Sequence, residues 1–519
     1  MDLKSLEDKI KELSKSFFKQ NLRYWSKKKR TKKIVLIEAF NDTNTHMMTS
    51  SIIANAINEV YSFTPTVLIN KNQYKDEHKN IFQSFCISNH IFFDKRKIKL
   101  SYLMKSFIDL FQVVLFCSKK EKFLKFKKNG ILLGDLVYDE YIRRDNNYKN
   151  TSLVNLKFVE FFLKFMIKFY FFEELFKKND VKYVILSHRV YSISVLHRLA
   201  LINNAKSIIS RITSIRVYDN SSEMMVNEYK PTKEILDTIM KKKLSNHISD
   251  YLEKRFKGEI DQHDVRNAFV NKKHYTKQEL LSSLNINNDN PVVFIMPHAF
   301  SDANHSNEFI LFNDYYSWFV DTLDKIEHIN NINWIVKPHP SSMMYNEVGE
   351  VKEIVNSYSG HIKLVPDDLS TSSIFNIAKT VVTISGTVGI EAACMGIKPL
   401  IAGDATYRGF DIAVEPNSKE EYFNILENIK HYSFVANEKE KNIARAIIYW
   451  LHEASFINSK IFQKKSFLPG STNKDILYQK IDFYNNILMS IENNNPKEDN
   501  FYQTVKEIIQ NNDKYNKLI

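Results

Sequence analysis

The sequence predicts an α/β protein built from two successive parallel-sheet halves, with added helices at both ends. Three observations predict it. Short β-branched runs alternate with helical periods from Lys33 onward. The alternation fades into a polar, charged stretch from about Lys230 to Asn290 and restarts at Pro291. Of only eleven glycines, five lie within 24 residues: Gly386, Gly389, Gly396, Gly403 and Gly409. Such clustering marks backbone that turns tightly or comes close to a ligand.

Taken in order, residues 1–30 read as a basic amphipathic leader helix. Leu3, Leu6, Ile10, Leu13 and Phe17 step by three or four, and residues 1–33 hold twelve Lys/Arg against four Asp/Glu, so 12 − 4 = +8 of the chain's +13. With Tyr24 and Trp25 near its end, the segment suits an anionic membrane surface; a packing or dimerising helix fits the same pattern. Residues 31–230 form the first half. Lys33–Phe40 is a near-continuous apolar strand, Met47–Val60 has helical spacing, and Thr66–Asn70, Ile131–Tyr138 and Val181–Ser187 read as further strands. Between the last two, Phe158–Phe172 carries its charges on one face, the pattern of a helix that is mostly core. Residues 231–289 are a helical connection. The second half, 290–430, alternates V-V-F-I-M-P, a helix near Tyr315–Ile329, W-I-V-K-P-H-P, a helix near Glu350–Ser357, I-K-L-V-P, a helix at Ser370–Lys379 and the glycine-rich unit. Residues 431–519 read as helices. Two such halves, with ligands at strand C-ends, describe two facing Rossmann-like domains.

Composition excludes several classes. Cys86, Cys117 and Cys394 form neither a metal spacing nor a disulfide framework, which indicates a reducing, cytoplasmic setting. No metal and no cofactor are implied. Charges recur through the first 33 residues, so there is no signal peptide, and no apolar run reaches the roughly 18–20 residues needed to span a bilayer. The excess charge sits in one terminal segment with no recognisable nucleic-acid-binding fold behind it, so nucleic acid is not an expected partner.

Two motifs carry chemistry. In Trp334–Ser342, W-I-V-K-P-H-P-S-S, prolines 338 and 340 end a strand and fix the backbone around His339, where His339 and Lys337 can meet a phosphate. From Thr380, T-V-V-T-I-S-G-T-V-G-I-E reads as a buried strand, a turn with the hydroxyls of Ser385 and Thr387, and a helix start carrying Gly389 and Glu391. Amides of Gly386 to Val388 at a helix start suit a phosphate, and Glu391 one turn on suits the hydroxyls of a ribose.

These stretches, K-P-H-P followed by S-G-T-V-G-I-E-A-A-C-M-G-I-K-P-L, resemble the HP and Ser/Thr motifs of bacterial capsule-polysaccharide transferases. Those include Kdo (3-deoxy-manno-octulosonate) transferases and the sialyl- and polysialyltransferases that use CMP-sugars. The resemblance is strongest over Pro291–Pro416. It implies a GT-B fold, α/β with two facing Rossmann-like domains and extra N- and C-terminal helices. It also implies a metal-independent glycosyltransferase that takes a nucleotide-sugar donor and a glycan or lipid-linked glycan acceptor. Carried over by position, His339, Ser385 and Thr387 contact the nucleotide phosphate, Glu391 the ribose, and Asp367 lies near the base. G-D-L-V-Y-D-E-Y-I-R-R (Gly134–Arg144), L-S-H-R-V-Y (Leu186–Tyr191) and H-A-F-S-D-A-N-H (His298–His305) also resemble surface-carbohydrate biosynthesis proteins, each read as following a strand. His298, Asp302 and Tyr407 are further cleft candidates.

An inverting transfer needs a base for the acceptor proton, and Asp42, His46, Asp139 and His188 are the candidates. A CDP-glycerol-type glycerophosphotransferase and a nucleotide-sugar 2-epimerase are the alternative enzymes. Read as a membrane tether, the leader would place this cytoplasmic enzyme on the inner face of the cell membrane as a peripheral protein; read as a packing or dimerising helix, it would not.

Overall fold

A computed structural model describes residues 2–26, 30–41, 43–149, 153, 155–241, 245–260, 272–358, 360–462 and 472–515. Its first sheet comprises β1 (Lys33–Glu38), β2 (Thr64–Asn70), β3 (Asn89–Phe93), β4 (Asp180–Leu186), β5 (Lys206–Arg211) and β6 (Ser214–Tyr218), in the order β3-β2-β1-β4-β5-β6. All pairs are parallel except β5 with β6. The second sheet comprises β7 (Val292–Ile295), β8 (Asn333–Val336), β9 (Ile362–Leu364), β10 (Thr380–Thr383) and β11 (Leu400–Ile401), in the order β9-β8-β7-β10-β11 and wholly parallel. This is the GT-B arrangement, an α/β fold of two Rossmann-like halves. β-Branched, apolar runs such as V-V-F-I and T-V-V-T are buried at every residue, as a sheet covered by helices on both faces requires.

Order alone places the crevices. In each sheet the chain reverses direction beside its first strand, between β1 and β4 in one half and between β7 and β10 in the other, and ligands of such sheets lie outside those strand ends.

The Ile131–Tyr138 strand expectation is corrected. Only Ile131–Leu132 is extended, in a two-stranded antiparallel ribbon with Lys127–Lys128, and a helix runs over Gly134–Asp145. Asp139 therefore sits within a helix and does not follow a strand. Strands β3, β5 and β6 escaped the sequence reading. The β5–β6 hairpin turns through Ile212, at φ 52°, and Thr213, so it lacks the Asn-Gly signal that usually marks such a turn.

The leader forms a helix over Leu3–Asn21, and Leu6, Ile10 and Phe17 of its apolar stripe are buried within the protein, with Leu13 partly buried and Leu3 exposed. Leu6, Ile10 and Phe17 pack into the core of the first half. The Phe17 ring lies 6.2 Å from Phe85 and 6.3 Å from Tyr484 of the Asn473–Asn493 helix. Trp25 is buried between Phe85 and Tyr502, and the Tyr24 hydroxyl donates to the Ile491 carbonyl at 2.8 Å. Periodicity reported the apolar face correctly; packing covers it, so this stripe is not available to a membrane. The C-terminal helices Asn473–Asn493 and Asn500–Asn511 thus return to the first half, while the Glu438–Tyr449 helix packs on the second. No helix among the described residues is long and apolar enough to cross a membrane.

Candidate functional site

At the second crevice, three strand ends converge on a cavity of about 160 Å³. Pro297 and His298 follow β7, Lys337-Pro338-His339-Pro340 follow β8, and Ser385-Gly386-Thr387 follow β10. Backbone bonds hold the ends level: Met296 N–H donates to Val382 at 2.9 Å, and Lys337 N–H donates to Ile295 at 3.0 Å. The Thr383 hydroxyl adds a bond to the Met296 carbonyl at 2.9 Å.

The His298 ring stacks on His339, with centroids 5.6 Å apart, and on Tyr315 at 5.0 Å. Burial pushes His298 down to about 4, so it is a neutral imidazole at working pH, and its Nε2 lies 3.4 Å from the Ser385 hydroxyl. His339 Nδ1 accepts from Ser341 N–H at 3.2 Å, which puts the His339 proton on Nε2 as a donor. Lys337 is buried, donates to the Leu369 carbonyl at 3.1 Å, and is pushed down to about 8 by that burial and by Lys272, with Glu391 opposing.

Two glycines act by close approach. A Cβ on Gly386 would come 2.9 Å from the Thr383 hydroxyl and 3.5 Å from His298 Nε2, so its absence keeps the cavity wall low. Gly389 does not line the cavity. A Cβ there would lie 1.9 Å from the Tyr407 hydroxyl, which donates to the Gly386 carbonyl at 2.9 Å. Tyr407 is fully buried behind the loop and braces it; it is not a cleft residue.

Glu391 lines the cavity but is held from the far side. Arg255 Nε and one terminal nitrogen donate to Glu391 Oε1 at 2.9 and 2.7 Å, and both side chains are buried. Arg255 belongs to the Ser245–Phe256 helix of the connection, and the sequence reading missed it. Nothing local marks it, because its partner is 136 residues away. Asp367 is exposed outside the cavity, its carbonyl held by Lys272 at 2.8 Å.

The base candidates fare differently. Asp42 lies outside the described residues. At the first crevice, Glu38 ends β1 fully buried and accepts from the amides of Phe40 and Asn41 at 2.6 and 2.9 Å and from the Ser187 hydroxyl at 3.0 Å. His46 is buried too, its Nε2 3.1 Å from the Glu38 carbonyl and 3.5 Å from the Glu38 carboxylate. Burial opposes ionisation of Glu38, but the His46 contact, the Asn41 amide and His188 outweigh it and hold the carboxyl at about 2. His188 is half-buried, with Nδ1 2.8 Å from the Ser187 hydroxyl, and burial lowers its pKa. Asp139 is committed elsewhere. It accepts from His305 N–H at 2.9 Å and pairs with His305 Nδ1 at 2.7 Å, while His305 Nε2 meets the Asn313 carbonyl at 2.7 Å. Burial would lower His305, yet Asp139 raises it to about 9. This pair joins the two halves, as do Lys120 and Tyr138, which donate to Asp314 at 2.7 and 2.5 Å.

Asp302 sits where the halves meet. Burial raises its pKa, against the Tyr345 hydrogen bond and the charges of His339 and Arg143, and its charge is felt by Tyr191, whose hydroxyl bonds the Ala303 backbone. Ser192, next in sequence, lines a larger cavity of about 470 Å³ in the first half with Lys95, Glu140, Arg144, Phe161 and Lys168. Among the described residues no cluster of three His, Cys, Asp or Glu could hold a metal ion.

Residues 201–435 match the family model described as capsule polysaccharide biosynthesis protein, a span that contains every cavity residue from Arg255 to Glu391. No curated protein matches the chain in sequence. Similar solved structures include the β-Kdo 2,4-transferase KpsC of Thermosulfurimonas dismutans, 11% identical over 53% of this chain and 85% of that one, with a TM-score of 0.31. UDP-GlcNAc 2-epimerase from Neisseria meningitidis bound to UDP-GlcNAc is 11% identical over 82% of this chain and 97% of that one, TM-score 0.21. A glycosyltransferase from Rickettsia africae ESF-5 is 13% identical over 88% and 98%, TM-score 0.24.

Proposed function

We propose that this protein is a glycosyltransferase that moves a sugar from a nucleotide-sugar donor onto a growing surface or capsular glycan. The observation that carries the reading is the second-half cavity, which gathers Lys337, His339, Ser385 and Thr387 at one topological switch point. A cation, a ring N–H and two hydroxyls around one space suit the phosphate of a nucleotide, and they act at the moment negative charge collects on the leaving group. Glu391, oriented by Arg255, is the residue for the ribose hydroxyls. The choice of a cytidine donor, such as CMP-Kdo or a CMP-sialic-acid-like sugar, comes from the sequence resemblance. The capsule-biosynthesis match supports the glycan side of the reading.

The acceptor enters from the first half, where the larger cavity offers lysines, an arginine and aromatic walls to an anionic glycan. Asp302 takes the acceptor proton. Burial raises the proton affinity of its carboxylate, which feels Arg143 and Tyr191 of the first half and Tyr345 and His339 of the second. As the acceptor oxygen bonds to the anomeric carbon, the proton passes to Asp302 and the nucleotide departs toward Lys337 and His339. Incubation with a CMP-sugar and a glycan acceptor, followed by assay of released CMP, tests this. Asp302→Asn should cut turnover by about 10²-fold or more while leaving nucleotide binding intact. Near-normal turnover in that variant overturns the role of Asp302. Turnover of CDP-glycerol in place of a sugar donor would make the protein a glycerophosphotransferase.

A further inference from the structure

We infer that the outward face of the Leu100–Phe116 helix docks on an anionic lipid bilayer. Leu100, Met104, Phe107, Ile108, Phe111 and Leu115 are all exposed, Leu100 by 70% and Phe111 by 64%. At 100° per residue they fall within an arc about 100° wide, a continuous apolar stripe pointing into solvent. The opposite side, which packs on the protein, carries Tyr102, Ser106, Asp109 and Val113. Asp109 anchors it, accepting from Lys128 at 2.5 Å and from the Tyr170 hydroxyl. The helix therefore shows apolar groups on both faces: Tyr102 and Val113 join the core beside the anchored Asp109, and a second set of large apolar groups faces outward. A contiguous exposed stripe of this kind marks an interaction surface.

Charge selects the occupant. Lys95, Arg96, Lys97 and Lys99 precede the helix, and Lys119, Lys122, Lys125 and Lys127 follow it, all exposed. Over residues 95–127 the only exposed acidic side chain is Glu121, since Asp109 is buried. Symmetric docking of a second copy through this face would set two basic rims against each other, whereas anionic headgroups complement them. The helix has 17 residues, about 25 Å at 1.5 Å each, and suits lying in the plane of the interface rather than crossing it. Lys95 and Ile98, at its start, also line the larger first-half cavity, so docking would bring that cavity to the membrane surface.

Membrane docking of this helix does not depend on nucleotide binding in the second half, and the two are tested separately. Full-length protein and a Phe107→Asp/Phe111→Asp variant are sedimented with phosphatidylglycerol vesicles and with phosphatidylcholine vesicles, at low and high salt. Both side chains are exposed, so the variant's melting midpoint should match the parent's. The parent should sediment with the anionic vesicles at low salt and less at high salt, and the variant's binding should fall by at least about tenfold. Failure of the parent to bind anionic vesicles overturns the inference, as does equal binding by the variant. A parent that light scattering finds dimeric, ignoring vesicles and becoming monomeric in the variant, would assign the face to a second copy.

Discussion

The two sheets run the same strand order through their first five strands, and each leaves a crevice beside its first strand, yet the two crevices are built differently. Beyond β7 and β10 the strand ends carry Lys337, His339, Ser385 and Gly386 around an open cavity. Beyond β1 and β4, Glu38, His46 and Ser187 bond to one another and to backbone amides. Topology provides a place for chemistry in both halves, and side chains decide which is used. A cation and ring N–H facing a cavity are suited to hold a phosphate, whereas a carboxylate satisfied by its own loop is suited to hold that loop.

The largest effect expected from this contrast is at the scaffold. Glu38→Ala removes the acceptor for two amides and Ser187, and should cost about 3–5 kcal/mol in urea unfolding, with nucleotide binding retained below the melting point. Normal stability with lost turnover would instead make the first crevice catalytic. Next, His339→Ala should lower turnover by about 10²-fold or more with little change in melting midpoint. Gly389→Ala should cost roughly 1–3 kcal/mol by forcing its Cβ into Tyr407, measured by thermal unfolding, and Tyr407→Phe in the same chain should return part of that loss. The smallest effect is a pH dependence. Lys337 is charged below about 8, so nucleotide affinity should fall as pH rises through that value. A drop of about tenfold between pH 7 and pH 9, flattened by Lys337→Arg because the guanidinium stays charged, is the expected titration result. A flat profile in the parent would remove Lys337 from the phosphate.

What was legible in the sequence follows the range of the interactions. K-P-H-P and S-G-T-V-G-I-E were readable as strand ends because strand, turn and polar side chain are contiguous, and His339, Ser385 and Glu391 line one cavity. Arg255 was not readable, because a buried arginine in a polar connecting helix gains meaning only when folding brings it to Glu391. The leader's stripe was visible as periodicity, but periodicity is silent on what covers an apolar face. In the leader that cover is Phe85, Tyr484 and Tyr502. The Leu100–Phe116 helix passed unnoticed for the converse reason: its apolar residues look like core until the packing shows them facing out. Asp139 was misjudged because G-D-L-V-Y-D-E-Y was read as extending a strand, and its helix directs the carboxylate to His305.

The central claim, that the second-half cavity binds the nucleotide, is tested most directly by thermal shift. The parent chain, a Lys337→Ala/His339→Ala variant and a His188→Ala variant are each melted with CMP, CDP, UDP, GDP and ADP. A cytidine nucleotide should raise the midpoint of the parent and of His188→Ala by mass action, and leave that of the double variant unmoved. A parent that no nucleotide stabilises, or a shift that survives intact in the double variant, would contradict the account.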